Sequence, residues 1–313
     1  MRNDESTEAQ SIARIDALNG ESARLKAENP PRSLSLALEA ERLSNEMGYK
    51  RGMAESSLNV ASAKWQLGSH NEAEAPAKRA LQAFEELGDE LKQAQALIAL
   101  GLIYRRKGSA SEALLAYQRA LSIARRFNDE RLVANLCNNF ATLYGSLADY
   151  AKAAEYLSES LSIYRRVQDD YGEALALSNL AVLSRIMGDH ASAIELYQKA
   201  IEKFKRLNAL VHVAKALENI GSMHLENKDF DAALSYQRQA LALYESLNHP
   251  DSLAFVQHNI AATLASRGEI DEPIRLFRQS LALAQKMGDK ILECDACINL
   301  GRLCAKLRRQ EKP

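Results

Sequence analysis

One arrangement of small, apolar and polar positions recurs every 40 residues, without insertion, from about Lys50 to the C-terminus. One column of this pattern holds only alanine or glycine: Ala61, Gly101, Ala141, Ala181, Gly221, Ala261 and Gly301. Two further columns are almost as small: Ala73, Ala113, Ala153, Ala193 and Ala233, broken by Pro273, and Ala80, Ala120, Ser160, Ala200, Ala240 and Ser280. Positions that stay small in every copy predict close contact between two helices. Such a repeat is typical of stacked helical units that bury their apolar faces against one another.

Turn residues divide each period into two helices. We expect the first helix to end at a left-handed glycine in four copies: Gly68, Gly108, Gly188 and Gly268. The second helix is expected to end at Gly48, Gly88, Asn128, Asn208, Asn248 and Gly288. Side-chain oxygens follow that would cap the next helix: Ser69, Ser109, Asp149, Asp189 and Asp229, and Asp89, Asp129 and Asp289 before the next repeat. The local signals agree with the period, so the sequence predicts fifteen helices and an all-α protein.

Two prolines fall within these helices. Pro76 lies several residues inside the second helix of the first full repeat, where its missing N–H and its ring are expected to bend or delay the helix. Pro273 follows Asp271 near a helix start, where proline is tolerated.

The segment Ala-Leu-Gly-Leu-Ile-Tyr at 99–104, followed by Glu112-Ala113, Tyr117 and Ala120-Leu121, stands very close to the motif of the tetratricopeptide repeat in its 40-residue form. This resemblance implies an α-solenoid, a right-handed superhelix of antiparallel helix pairs whose first helices line a concave groove. It covers six repeats over residues 50–289, then the first helix of a seventh repeat and a basic tail over 290–313. Residues 1–49 fit a degenerate N-terminal capping repeat.

Asparagine forms the most informative polar column, at Asn59, Asn139, Asn179, Asn219, Asn259 and Asn299. The second repeat interrupts it with Ala99. An amide both donates and accepts hydrogen bonds and can therefore hold a peptide backbone without reading its side chains. The resemblance to kinesin light chains and Pins-like scaffolds implies that role above all for Asn139, Asn179, Asn219 and Asn259. Alternatively, these amides only tie adjacent first helices together, and the sequence leaves both roles open.

Other polar side chains share the predicted groove face with the asparagine column. The candidates for ligand contact are Asn135, Asn138, Arg105, Arg185, Glu218 and His258, and Glu55 and Gln95 lie on the same face. Arg105 and Arg185 would pair with acidic groups of a ligand, whereas Glu218 indicates a second, negative stretch. Trp65 would either anchor an apolar group or cover the junction between the cap and the first full repeat.

The charge balance argues against broad electrostatic binding. Forty Lys and Arg residues against 41 Asp and Glu residues leave a net charge of −1, so the cationic field that attracts nucleic acid or anionic membrane is missing. The basic pairs Arg125-Arg126 and Arg165-Arg166 fall in predicted last turns, where cations favour the helix dipole. The sequence shows no bilayer-spanning apolar run and no secretory signal. We therefore expect a cytoplasmic protein.

Cysteine and histidine give little sign of chemistry. Cys294, Cys297 and Cys304 have a weak metal-like spacing, but Cys297 is predicted to be a buried apolar residue because it shares a column with Leu97, Leu177 and Leu217. No histidine has a serine or cysteine at a catalytic spacing, and every glycine is explained by a cap or a packing column. We expect no metal, no cofactor and no enzymatic activity.

The sequence therefore predicts a scaffold or adaptor that binds a protein or an extended peptide in the concave groove. The alternative is a regulatory or sensory module of a larger bacterial signalling protein, whose cyclase, kinase or transcription-regulator domain is absent from this chain. Self-association through an exposed C-terminal helix is a further predicted interaction.

Overall fold

The computed structural model describes the backbone of residues 2–26 and 28–310 and the side chains of residues 8–26, 28–250 and 252–307. The last residues of the predicted basic tail, 311–313, lie outside this described part. Fifteen helices occupy the described residues, as predicted: α1 (Arg2–Leu25), α2 (Pro30–Met47), α3 (Lys50–Gln66), α4 (His70–Leu87), α5 (Glu90–Arg106), α6 (Ala110–Arg126), α7 (Glu130–Ser146), α8 (Tyr150–Arg166), α9 (Asp170–Ile186), α10 (His190–Arg206), α11 (Leu210–Glu226), α12 (Phe230–Ser246), α13 (Pro250–Arg267), α14 (Asp271–Met287) and α15 (Lys290–Gln310).

The chain forms two compact units, Met1–Val167 and Gln168–Pro313. In the first unit, α1 to α8 pack as successive hairpins, and the first helices α1, α3, α5 and α7 also lie side by side. In the second unit, α9 to α14 form three hairpins and α15 packs on α14 and α13. Each unit is therefore a stack of helix pairs held together by contacts between sequence neighbours.

The turns repeat every 20 residues. A residue with positive φ follows or closes each helix from α2 to α14, and every predicted glycine and asparagine terminator adopts it, from Gly48 at +67° to Gly288 at +75°. Three further terminators have ordinary side chains: Ala148, Gln168 and Lys228, with φ between +54° and +60°. Because each helix and its turn together span 20 residues, equivalent positions of successive repeats fall beside one another.

Most predicted helix caps are present. Asp149, Asp189 and Asp229 accept hydrogen bonds from the backbone N–H three residues further on, and Asp89, Asp129 and Asp289 do the same. The prediction that Ser69 and Ser109 cap their helices in this way is wrong, since neither side chain makes the bond.

The backbone angles do not explain this difference, because Ser109 and Asp149 have nearly the same values, φ −82° and ψ 71° against φ −85° and ψ 71°. Serine is itself a preferred cap residue. At Ser69 the third N–H, that of Glu72, donates instead to the backbone carbonyl of Ser69 at 3.1 Å.

Pro76 does not delay its helix. Helix α4 begins at His70, in register with the other second helices, and it runs through Pro76 to Leu87. The proline ring is buried against the core, where its apolar surface contributes to packing. Pro273 lies near the start of α14 as expected.

The basic pairs lie in the last turns of second helices, as predicted. They also reach the first helix of their own repeat, since Arg126 pairs with Glu90 and Arg166 Nη2 lies 2.9 Å from Glu130 Oε1. Their repetition therefore has a structural role within each hairpin.

The column of small residues marks close helix contacts in both units. A Cβ atom added to Gly101 would lie 2.2 Å from Cε1 of Tyr117, whose side chain is fully buried. At Gly221 it would lie 2.9 Å from Cγ of Gln237. Ala61, Ala181 and the other alanines of the column are buried. A small residue is thus a steric requirement for the hairpin to close.

Helix α15 departs from the predicted pattern. Cys297 is exposed instead of buried, as are Cys294 and Cys304, and only Cys137 is buried. A Cβ atom at Gly301 would meet nothing within 4 Å. The reason is that α15 packs against α13 and α14 alone, and no other described helix covers its remaining face. Self-association through this helix stays a prediction.

We expect Gly101→Ala to destabilise the protein and Gly145→Ala to stabilise it. Both glycines lie in first helices, but the space beside Gly145 is open for 4 Å. Overpacking against Tyr117 should cost about 1–3 kcal/mol, which outweighs a gain of up to about 1 kcal/mol in helix propensity. At Gly145 only the propensity gain applies. Urea denaturation of the two variants and the wild type measures both signs, and a stabilised Gly101→Ala variant would contradict the packing account.

Candidate functional site

A cavity of about 610 Å³ opens between the first helices α1, α3, α5 and α7 of the first unit, and we call it the N-terminal groove. Its polar lining consists of Asp16, Asn19, Lys26, Glu55, Asn59, Ser62, Lys92, Gln95 and Asn135. Its apolar lining consists of Ala23, Leu58, Ile98, Ala99, Leu102 and Leu132. The volume falls in the range of ligand-binding clefts, and the lining is more polar than is usual for small-molecule sites.

The amides of the N-terminal groove divide into two sets. Asn59 Nδ2 donates to the backbone carbonyl of Asn19 at 3.0 Å, and the buried Asn19 donates to the carbonyl of Gly52 at 3.3 Å. These two side chains join α1 to α3. Gln95 and Asn135 are exposed, and their amides make no hydrogen bond with any described residue. They retain full capacity to donate to and accept from a ligand.

The charges of the N-terminal groove are mostly paired. Glu55 lies 3.4 Å from both Arg51 and Lys92, and Asp16 accepts a hydrogen bond from the hydroxyl of Tyr49 at 3.1 Å. Burial, followed by the charge of Asp16, raises the pKa of Tyr49. Lys26 differs, since no carboxylate of the described side chains lies within ion-pair distance of it. One cation of the groove is thus uncompensated.

A smaller cavity of about 120 Å³, the Trp65 cavity, continues from the groove. Lys26, Ser62, Ala99 and Leu102 line both spaces. Trp65 also packs against a core cluster of α3, α4 and α5, and its ring centroid is 4.4 Å from that of His70. It therefore covers the junction of the first two full repeats and forms one wall of the cavity.

In the second unit, two of the predicted asparagines tie neighbouring first helices together. Asn259 Nδ2 donates to Glu218 Oε1 at 3.0 Å, and Asn299 Nδ2 lies 3.3 Å from His258 Nε2. Together with Asn59, these contacts show the tying role that the sequence left open.

The remaining asparagines of the column are half-buried: Asn139 in α7, Asn179 in α9 and Asn219 in α11. Asn179 already has a partner within the protein, as has the buried Asn138. The ligand roles of Asn139, Asn179 and Asn219 stay predictions.

Glu218 is almost fully buried, with 3% of its side chain exposed. Its carboxylate accepts from Asn259, lies 3.4 Å from the hydroxyl of Tyr244 and 3.2 Å from Lys215 Nζ. Burial, and next the charge of Glu218, raises the pKa of Tyr244. This carboxylate is engaged inside the second unit and does not form an open negative surface.

The two predicted arginines have different surroundings. Arg185 Nη1 lies 2.9 Å from Glu226 Oε1, so its charge is paired. Arg105 has no carboxylate partner among the described residues, and its Nε atom is buried without a hydrogen bond. Burial raises the pKa of the neighbouring Tyr117 to about 12, partly offset by Arg105.

Sequence reasoning missed the apolar part of the site. It noted Ala99 only as a gap in the asparagine column, and it did not connect Ala99 with Leu102 and Trp65, which share one cavity. The available signal was the gap itself. Leu102 lies one helical turn after Ala99, and Trp65 lies six residues after Asn59, which is the residue of the same column one repeat earlier.

The sequence model of the tetratricopeptide repeat matches residues 52–126, 132–206 and 212–286, which make up more than half of the chain. The chain belongs to the tetratricopeptide-repeat family. This match and the helix hairpins confirm the predicted all-α solenoid.

Solved structures share the fold at low sequence identity. One is a signal-transduction ATPase with numerous domains (STAND) from Pyrococcus horikoshii that carries a tetratricopeptide-repeat sensor. It aligns with a TM-score of 0.67 and 16% sequence identity, and the alignment covers 93% of this chain and 44% of that protein. BtubC from P. vanneervenii aligns with a TM-score of 0.58 and 22% sequence identity, and the alignment covers 72% of this chain and 92% of BtubC. The Rap conjugation gene regulator of plasmid pLS20, solved in complex with the Phr* peptide, aligns with a TM-score of 0.64 and 15% sequence identity. The alignment covers 84% of this chain and 71% of the regulator. None of the curated proteins shows a significant sequence match.

No three His, Cys, Asp or Glu side chains among the described residues are placed to hold a metal ion together. No helix of this part of the chain is both long and apolar enough to cross a membrane.

We expect His258→Gln to reduce the loss of stability on acidification. Burial lowers the pKa of His258, with a smaller opposing effect of Asp295. The unfolded state, with a histidine pKa near 6.5, therefore binds more protons than the folded state, so stability is lost as the pH falls below about 6.5. Glutamine cannot titrate but can still accept the Asn299 hydrogen bond.

The measurement is urea denaturation of both proteins at about pH 7.5 and about pH 5.5, on either side of the ordinary histidine pKa. The wild type should lose more unfolding free energy between the two conditions than the variant. Equal losses would mean that His258 is protonated as easily in the folded protein as in the unfolded chain.

Proposed function

We propose that the protein is a non-catalytic scaffold or adaptor that binds an extended segment of another polypeptide in the N-terminal groove. The observation that carries this proposal is the combination of unpaired amides with an apolar floor. Gln95 and Asn135 offer free donors and acceptors, while Leu58, Ile98 and Leu132 offer apolar surface in the same cavity. A peptide in extended form presents backbone amides and apolar side chains to such a surface.

The backbone of an extended peptide requires partners for groups that lose water on binding. Amide side chains are suited to this because they serve N–H and C=O groups alike, whatever the peptide sequence. Asn19 and Asn59 fix α1 against α3 and so hold the groove open before a ligand arrives. The Rap conjugation gene regulator, which shares the fold, was solved in complex with a peptide.

The alternative proposal is a sensory module within a larger signalling protein. The tetratricopeptide sensor protein from Pyrococcus horikoshii supports it, because this chain aligns with less than half of that protein. The complete reading frame of the gene tests it. A cyclase, kinase or transcription-regulator domain in the same frame would support the sensory proposal, and a stop codon after Pro313 would favour the adaptor.

We expect Gln95→Ala and Asn135→Ala each to weaken binding of a peptide selected from a random library on the full chain. Each variant removes about one hydrogen bond from the complex, worth roughly 2-fold to 12-fold in the dissociation constant. Neither residue ties helices together, so the fold should be unaffected. Titration calorimetry measures the affinities, and circular dichroism checks the folding.

Gln118→Ala provides the matched control, because Gln118 is an exposed glutamine of the same unit on the second helix α6. It should bind as the wild type does. Selected peptides that bind all three variants with unchanged affinity would place the binding surface outside the N-terminal groove, and a selection that enriches no peptide would count against the proposed function itself.

A further inference from the structure

The gap in the asparagine column has a structural consequence. Ala99 occupies the position that holds asparagine in six other repeats, and its side chain lines both the N-terminal groove and the Trp65 cavity. An asparagine there would place a polar amide where the two spaces join. The alanine leaves this junction open and adds no polar group to it.

The walls of the Trp65 cavity are suited to an apolar group. Ala61 and Ile103 are each 1% exposed, and Ala99, Leu102 and the indole of Trp65 add further apolar surface, while Lys26, Ser62 and Gln66 also line the space. Ser62 is satisfied within its own helix, because its hydroxyl donates to the carbonyl of Leu58 at 2.9 Å. An apolar group entering this space loses water, and the Ser62 hydroxyl keeps its partner when it does so.

The volume limits the size of that group. An apolar protein cavity of about 150 Å³ is known to hold benzene, and the Trp65 cavity measures about 120 Å³. The Trp65 cavity is therefore of a size for one small apolar group, such as the aliphatic side chain of valine, leucine or isoleucine.

The charge at the entrance selects what lies next to that side chain. Lys26 lines both cavities and has no carboxylate partner among the described side chains, whereas the nearby Lys64 is paired with Glu72 at 2.7 Å. A carboxylate of the ligand beside its apolar group would complement Lys26.

We infer that the Trp65 cavity takes an aliphatic side chain of the bound peptide, and that a carboxylate next to this side chain in the peptide pairs with Lys26. This inference rests on the proposed function and adds a sequence preference to it. The amides of Gln95 and Asn135 bind the peptide backbone, and the Trp65 cavity selects one side chain of the peptide.

The variant Ala99→Asn tests the inference at its centre. Asparagine is the residue that this column carries elsewhere, so the fold should accommodate it. The variant should fill the junction and weaken selected peptides by about tenfold or more, the value of burying one aliphatic side chain. Ala151→Asn is the matched control, since Ala151 is exposed on the second helix α8. It should leave affinity unchanged.

The protein carries its own spectroscopic probe, because Trp65 is its single tryptophan. Titration of ¹⁵N-labelled full chain with a peptide from the random library should shift the one indole N–H resonance. Replacing the aliphatic residue of that peptide with alanine should abolish most of the shift and cost about tenfold in affinity. Replacing the adjacent acid with its amide should cost about two- to fivefold, and less at high salt.

Three results would overturn the inference. Some peptides could depend on Gln95 and Asn135 but leave the Trp65 resonance unshifted and bind the Ala99→Asn variant normally. This result would support the proposed function and reject an aliphatic side chain in the Trp65 cavity. An aliphatic requirement without any effect of the neighbouring acid would reject the role of Lys26. The absence of any selected peptide would reject the proposed function and this inference with it.

Discussion

The spacing of the turns is the constraint on which the rest of the structure depends. Left-handed residues recur every 20 residues from Gly48 to Gly288, so each helix and turn has the same length. Equal lengths keep equivalent side chains of successive repeats next to one another. Small residues then meet large ones at each hairpin, as Gly101 meets Tyr117, and the first helices of the first unit lie close enough to form one groove. A residue inserted within one helix would rotate the side chains after it by about 100° about the helix axis and move part of its buried face away from its partner.

The sequence predicted those parts of the fold that depend on local chemistry. Glycine and asparagine terminators and aspartate caps follow from backbone preferences, and all of them adopt the expected geometry. Ala148, Gln168 and Lys228 show the limit, because nothing in their side chains favours a left-handed backbone and only the period could have indicated it. Ser69 failed as a side-chain cap, and the N–H of Glu72 donates to its backbone carbonyl instead. Cys297 failed because its column is buried only where a further helix covers it.

The candidate site was harder to predict, because it depends on distances between repeats. The sequence indicated which face carries the asparagines, but not which of them are used internally. Asn259 and Asn299 are occupied because Glu218 and His258 happen to lie one repeat earlier at the right position. Asn135 is exposed and makes no hydrogen bond with any described residue. Ala99 was visible only as a missing asparagine, and its importance depends on the cavity that the missing amide opens beside Trp65.

The central claim is that a peptide lies between the first helices of the first unit. The most direct measurement is photo-crosslinking with a selected peptide whose aliphatic residue is replaced by photo-leucine, followed by mass-spectrometric mapping on the full chain. The account predicts crosslinks to α3 and α5, around Trp65 and Leu102, with further contacts confined to α1 and α7. Crosslinks concentrated on the second helices α4, α6 and α8, or in the unit Gln168–Pro313, would contradict it.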